Sequence, residues 1–363
     1  MQHWNIEAVR QQHNLYLSDS QIRAIQAKLP KAEDQKIYAD AVFEGGGVKG
    51  IAFLGALRCF NDAGIQLRKV AGTSAGALMA SVIAAGFTID QLEEIVGNLD
   101  YMNDILNQKT SPLIFNGSPA DDLQEPVWMI GNLVLTGQQG QYSTEPFKQW
   151  LSSFLDQRLA TFPPLSNQPA TDLPWYQQRL LKIVVSDISE GEMRILPDDL
   201  PQYQQIPENF SVAEAVRLSM SIPLFFAPGQ LNGRTIIDGG ILSNFPLWIY
   251  DAPPGRTPKC PTFGFQLTTH RARPRRIKGA VDILSSMFDT MLVARDRYYQ
   301  RTSDQGRVIG VDTAQVSATK FDLTNDDKAY LYRQGYESAR TFLLEEWDWQ
   351  THLQKRGYLV AVS

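Results

Sequence analysis

Apolar positions in this chain fall into short runs and helical stripes, and their spacing sets the first expectations. Residues 37–43 (IYADAVF), 67–72 (LRKVAG), 180–188 (LLKIVVSDI), 193–196 (MRIL), 234–238 (RTIID) and 262–267 (TFGFQL) have the length and composition of strands. The run at 180–188 and the one at 262–267 are apolar enough to lie centrally in a sheet. Helical periodicity marks 51–62, closed by Ala63-Gly64 in the manner of a glycine cap, and 75–85, closed by Gly86. It returns at 145–155, 280–299 and 326–344. This alternation predicts an α/β fold with a mainly parallel central sheet flanked by helices. Residues 37–345 are expected as a single domain, and residues 346–363 as a C-terminal tail. Residues 1–36 are polar, with Ile22, Ile25 and Leu29 spaced for a short amphipathic helix, and read as an N-terminal helical extension closed by Pro30. Residues 100–145 carry little periodicity, which suits an insertion or lid. There is no internal repeat.

Composition narrows the function classes. In 363 residues, 43% are hydrophobic and 20% charged, as in an ordinary globular protein, and the net charge of −5 argues against nucleic acid as the partner. Cys59 and Cys260 have no metal-ligand spacing and read as reduced thiols. The N-terminal residues lack a basic region followed by an apolar core, so a cytoplasmic location is the expectation. The uncharged run 70–88 is rich in Gly, Ser and Ala, a composition for a packed strand, turn and helix rather than a membrane span.

Candidate chemistry lies in three places. Residues 41–57 (AVFEGGGVKGIAFLGAL) put three consecutive glycines between a strand and a helix, although glycine weakens both. Either the backbone bends sharply there or a phosphate or a developing oxyanion approaches its N–H groups. Gly45-x-Gly47-x-x-Gly50 meets dinucleotide spacing, but Asp62 lies twelve residues past Gly50 in a helical pattern, not at the end of a second strand. A Walker loop is excluded because no Gly-Lys-Ser/Thr follows. The second place is Gly72-Thr-Ser74-Ala-Gly76, a G-x-S-x-G sequence after a strand and opening a helix, the context of a nucleophile elbow. The third is Asp238-Gly239-Gly240 at the end of an apolar strand. A serine needs a base within hydrogen-bond reach. Of His3, His13, His270 and His352, only His270 follows a strand pattern, and Asp238 is the acidic alternative; the residues alone leave both open.

The glycine-rich strand end, the G-x-S-x-G turn and the Asp-Gly-Gly sequence, in this order, resemble the patatin-like phospholipase family. Further segments are similar to it: SDISEGEMRIL, LSMSIPLFFAP and FDLTNDDKAYLYRQGYESARTFL. The resemblance spans about residues 37–345. It implies a lipid acyl hydrolase of the phospholipase A or lysophospholipase type, with no metal, cofactor or catalytic histidine. Matched residue by residue, it makes Ser74 the nucleophile, Asp238 the general base, and Gly45, Gly46 and Gly47 the oxyanion hole, with Gly50, Gly72, Gly76, Gly239 and Gly240 as motif glycines. Glu44 stands where many members carry Asp, with little expected effect on the chemistry. Lys49 is a candidate contact for a lipid phosphate. Five basic residues in 271–278 (Arg271, Arg273, Arg275, Arg276 and Lys278) form a candidate patch for an anionic membrane. The rivals are a soluble carboxylesterase or thioesterase on the same scaffold, a Ser74–Asp238–His270 triad, and a non-catalytic lipid-binding member.

Overall fold

The computed structural model of the chain describes residues 4–101, 140–165, 172–253, 255–268, 306–313, 315–318 and 320–358. The predicted helix at 280–299, His270, the basic cluster at 271–278 and nearly all of the expected lid lie outside these residues.

Two short helices, α1 (Ile6–Gln12) and α2 (Asp19–Ala27), open the described chain. Ser18 and Gln21 close a reciprocal capping box at the start of α2. Strand β1 (Ile37–Phe43) is buried at every position, which is why its sequence runs apolar instead of alternating. Then follow α3 (Ile51–Asp62), β2 (Ile65–Thr73), α4 (Ala75–Ala84) and α5 (Ile89–Gly97). The middle of the chain supplies β3 (Gly140–Tyr142), α6 (Glu145–Leu159), β4 (Leu180–Asp187), β5 (Glu192–Leu196) and α7 (Val212–Ser219). Three short strands come next, β6 (Leu224–Phe226), β7 (Gly229–Leu231) and β8 (Arg234–Asp238). Strands β9 (Thr262–Thr268) and β10 (Val308–Asp312), then helices α8 (Asn325–Thr341) and α9 (Trp349–Lys355), complete the described elements.

The main sheet runs β10-β9-β1-β2-β4-β8-β7, with β5 also paired to β4; β3 and β6 form a separate two-stranded ladder. From β10 to β4 every pairing is parallel, and β5, β8 and β7 join antiparallel. The register on β4 positions the site. Strand β2 pairs along one edge of β4 and ends with Thr73 opposite Val184. Strand β8 pairs with Val185 to Asp187 and ends with Asp238 opposite Val185. Strand β5 pairs with both stretches of β4 and so occupies the other edge. Strands β2 and β8 therefore share one edge and point at each other, so the last residue of each meets the other at adjacent rungs.

The first and last described segments join the main core. Leu15, Ile25 and Leu29 belong to the same buried cluster as Phe53 and Leu54 of α3, and Trp4 sets its ring edge against Tyr332 of α8 at 5.8 Å. At the other end Trp347 meets Phe263 of β9 at 4.7 Å. The segments expected to flank the domain are thus packed into it.

Candidate active site

Ser74 sits between β2 and α4 with φ +53° and ψ −122°, a backbone conformation that side-chain-bearing residues rarely adopt and that costs about 1–3 kcal/mol. The flanking glycines make this turn possible. A Cβ on Gly72 would overlap the carbonyl oxygen of Gly76, and one on Gly76 would overlap that of Phe43 in β1. The turn is buried, with Ser74 only 4% exposed. Its amide donates to Ser219 Oγ at 2.8 Å, and Ser219 Oγ donates to the Val184 carbonyl at 2.6 Å. Thr73 Oγ1 ties the same turn to the Ser243 carbonyl at 3.1 Å.

Asp238 faces this turn from the end of β8. Its carboxylate accepts the Gly240 amide at 2.8 Å, and Gly239, next to Asp238, lies against Thr73, next to Ser74. Its own amide is held by the Ser221 carbonyl at 3.0 Å. Gly239 packs so closely that a Cβ there would overlap the Val184 carbonyl oxygen. Burial pushes the Asp238 carboxyl up to about 6, opposed by the Ser74 hydroxyl and the Gly240 amide, which favour the charged form.

The glycine loop lies against the serine. A Cβ on Gly45 would come within 3.2 Å of the Ser74 Cβ. Asn244 clamps this glycine: its side-chain amide donates to the Gly45 carbonyl at 3.1 Å, and its carbonyl accepts the Gly45 N–H at 3.1 Å. The Gly45 amide is thus already bonded to Asn244. Among the described residues no acceptor is recorded for the amides of Gly46 and Gly47. Gly47 has φ +57°, and a Cβ there would strike the Ala318 carbonyl oxygen; one on Gly46 would strike Leu267. Glu44 turns to the neighbouring strand, where its carboxylate accepts the Leu267 amide at 2.6 Å. Lys49 and Gly50 belong to the short helical turn Gly47–Gly50, Lys49 half-buried and Gly50 buried.

The described histidines stand elsewhere. His352 packs on Trp347 at 4.7 Å and lines a small cavity with Thr262, the first residue of β9, at the end of the sheet opposite Ser74. Burial, with Arg307 and Arg356 nearby, lowers its imidazole to about 3, so it is neutral. Cys59 and Cys260 are buried and unpaired. Among the described residues no group of three or more His, Cys, Asp or Glu side chains is disposed to hold a metal. The structure thus brings Ser74, Asp238 and the glycine loop together. Sequence reasoning missed Ser219 and Asn244, whose contacts cross 145 and 199 positions of chain and leave no local pattern.

A family model described as patatin-like phospholipase matches residues 41–250, from within β1 to the turn beyond β8. The chain belongs to the patatin-like phospholipase family. A relative, the uncharacterized protein YqhO of Bacillus subtilis, is 33% identical over 318 residues, covering 86% of this chain and 99% of its own length. A probable lipid hydrolase, 463L of Invertebrate iridescent virus 6, is 24% identical over 217 residues, 58% of this chain and 63% of its own. The crystal structure of VipD from Legionella pneumophila shares the fold, with a TM-score of 0.51 at 18% identity over 88% of this chain and 70% of that one. Membership in this patatin-like family places the chain among lipid hydrolases. No helix among its described residues is long and apolar enough to cross a membrane.

Proposed function

We propose that the chain hydrolyses carboxylic esters of membrane lipids, as a phospholipase A or lysophospholipase, through an acyl-enzyme on Ser74. Ser74 Oγ attacks the ester carbonyl as its proton passes to Asp238, and the amides of Gly46 and Gly47 bond the oxygen that gains charge. Collapse expels the alcohol or lysolipid, which takes the proton from Asp238. Water then gives a proton to Asp238 and attacks the acyl carbon, and Ser74 leaves with the proton restored. The observation that carries this reading is the meeting of two strand ends that sets the buried Asp238 carboxylate beside the buried Ser74 turn. Burial supplies the basicity that a solvated carboxylate lacks.

The direct test is a phospholipid panel incubated with wild type and with Ser74→Ala, with mass spectrometry of the products. Free fatty acid and lysolipid from wild type alone support the proposal. Cleavage of small soluble esters or thioesters, with phospholipids untouched, moves the substrate to the soluble esterase class.

Two further outcomes follow. Because Asp238 must be ionised to accept a proton and its carboxyl titrates at about 6, kcat/KM for a non-ionising ester should fall about tenfold per pH unit below that point and level off above it. A limb near pH 4, where an ordinary carboxylate titrates, would rule out the buried base. The basic residues Arg271, Arg273, Arg275, Arg276 and Lys278 supply the proposed contact with anionic lipid, and Lys49 a contact with lipid phosphate. Sedimentation with liposomes should therefore rise with acidic lipid content and fall with salt; binding indifferent to lipid charge rejects the patch.

A further inference from the structure

We propose that Ser219 is a positioning residue of this site, its hydroxyl bridging the junction where the ends of β2 and β8 meet and holding the Ser74 turn in its reactive geometry. This rests on the reading of Ser74 as the nucleophile. The edge of β4 is paired with β2 up to Val184 and with β8 from Val185 onward. At that junction the left-handed backbone of Ser74 requires an acceptor for its amide that the ladder does not provide.

Ser219, fully buried at the end of α7, meets both needs with one atom. Its single proton goes to the Val184 carbonyl at 2.6 Å, which leaves a lone pair to take the Ser74 amide at 2.8 Å. The direction of both bonds is set by that division of roles. The Val184 carbonyl is also the atom on which Gly239, next to Asp238, closes too tightly for a Cβ. One serine hydroxyl therefore ties the turn carrying the nucleophile to the strand position against which the base is packed. Ser219 touches no reacting atom in the proposed mechanism and acts through the placement of Ser74.

The experiment compares wild type, Ser219→Ala, Ser219→Thr and Ser81→Ala in steady-state ester hydrolysis, pH profile and thermal melting. Ser81 is a matched control: its hydroxyl is equally buried and donates to the Leu78 carbonyl at 2.8 Å within α4, away from Ser74. Ser219→Ala should lower kcat about 10–100-fold, since small misplacement of a reacting group has effects of that size, while KM stays within about twofold. Its acid limb should move to higher pH, because the Ser74 hydroxyl that helps hold the Asp238 carboxyl down is less firmly placed. Ser219→Thr keeps the hydroxyl and should restore most of the rate, and Ser81→Ala should lower the melting temperature without changing kcat. Wild-type kcat and an unmoved limb in Ser219→Ala, or an equal loss of kcat in Ser81→Ala, would overturn the proposal. Should Ser219→Ala fail to fold, Ser219→Cys decides: its weakly accepting sulfur should slow kcat and raise the limb, and wild-type behaviour overturns the proposal. Undiminished hydrolysis by Ser74→Ala would instead remove the nucleophile assignment on which it rests.

Discussion

Ser74→Ala should lower lipid ester hydrolysis by at least about 10³-fold, and Asp238→Asn by about 10²–10⁴-fold. The double variant should be scarcely worse than Ser74→Ala alone, because the two groups act as one unit. His270→Ala is the control for a histidine-based triad and should keep most of the activity. The Asp238 substitution carries a second signature with the opposite sign. Burial holds this carboxyl at about 6 in the folded chain, against about 3.9 for an unfolded aspartate. Between those values the folded state binds more protons than the unfolded one, so stability falls as pH rises through the window and stays lower above it. Asparagine has the same shape, carries no charge and retains an oxygen for the Gly240 amide. Asp238→Asn should therefore melt at a higher temperature than wild type at pH 7 and above while losing activity. A variant both inactive and unfolded would show that Asp238 serves the fold instead.

Gly47→Ala should have the next largest effect. Its backbone is left-handed at φ +57°, where a side chain is strained, and the added carbon would meet the Ala318 carbonyl oxygen. Neither the turn nor the backbone of Ala318 can move freely, because the Val48 amide donates to that same oxygen at 3.1 Å. The loop must shift, and its amides with it. Loss of one donor to an oxyanion typically lowers the rate about 10²–10³-fold. The expected signature is a large fall in kcat with only a modest fall in melting temperature. Gly64→Ala is the comparison: that glycine is also left-handed, at φ +77°, but follows α3 and meets only the end of Gln26, so the strain should appear in stability alone.

Much of the fold was legible because its central elements are apolar on every face. Residues 37–43 and 180–188 read as strands, the second of them central, and supply β1 and β4, and 51–62 reads as the helix it forms. Helix α7 leaves no clear helical signature, since eight residues behind a Pro- and Asn-containing stretch offer barely two turns of periodicity. Helix α1 buries a single residue, Val9, so it leaves almost no stripe. The direction of β8 has a local signal in the sequence. Asn232 and Gly233 both have positive φ, at 48° and 76°, and make the two-residue turn that reverses β7 into β8. That reversal aims Asp238 at Ser74; a parallel β8 would have carried it away. The three candidate motifs were legible as residue types in order. What a single chain could not reveal was the traffic between them: the Asn244 carbonyl that occupies the Gly45 amide, and the Ser219 hydroxyl under the elbow.

The central claim is that the Ser74 hydroxyl is activated by the Asp238 carboxylate. It is tested most directly by reacting the intact protein with an organophosphorus ester across a pH series, locating the adduct by mass spectrometry and following its rate. The account predicts a single adduct on Ser74, formed at a rate that rises with pH through a midpoint near 6 and lost in Asp238→Asn. An adduct on another residue, or Ser74 labelling at the same rate with and without Asp238, would contradict it.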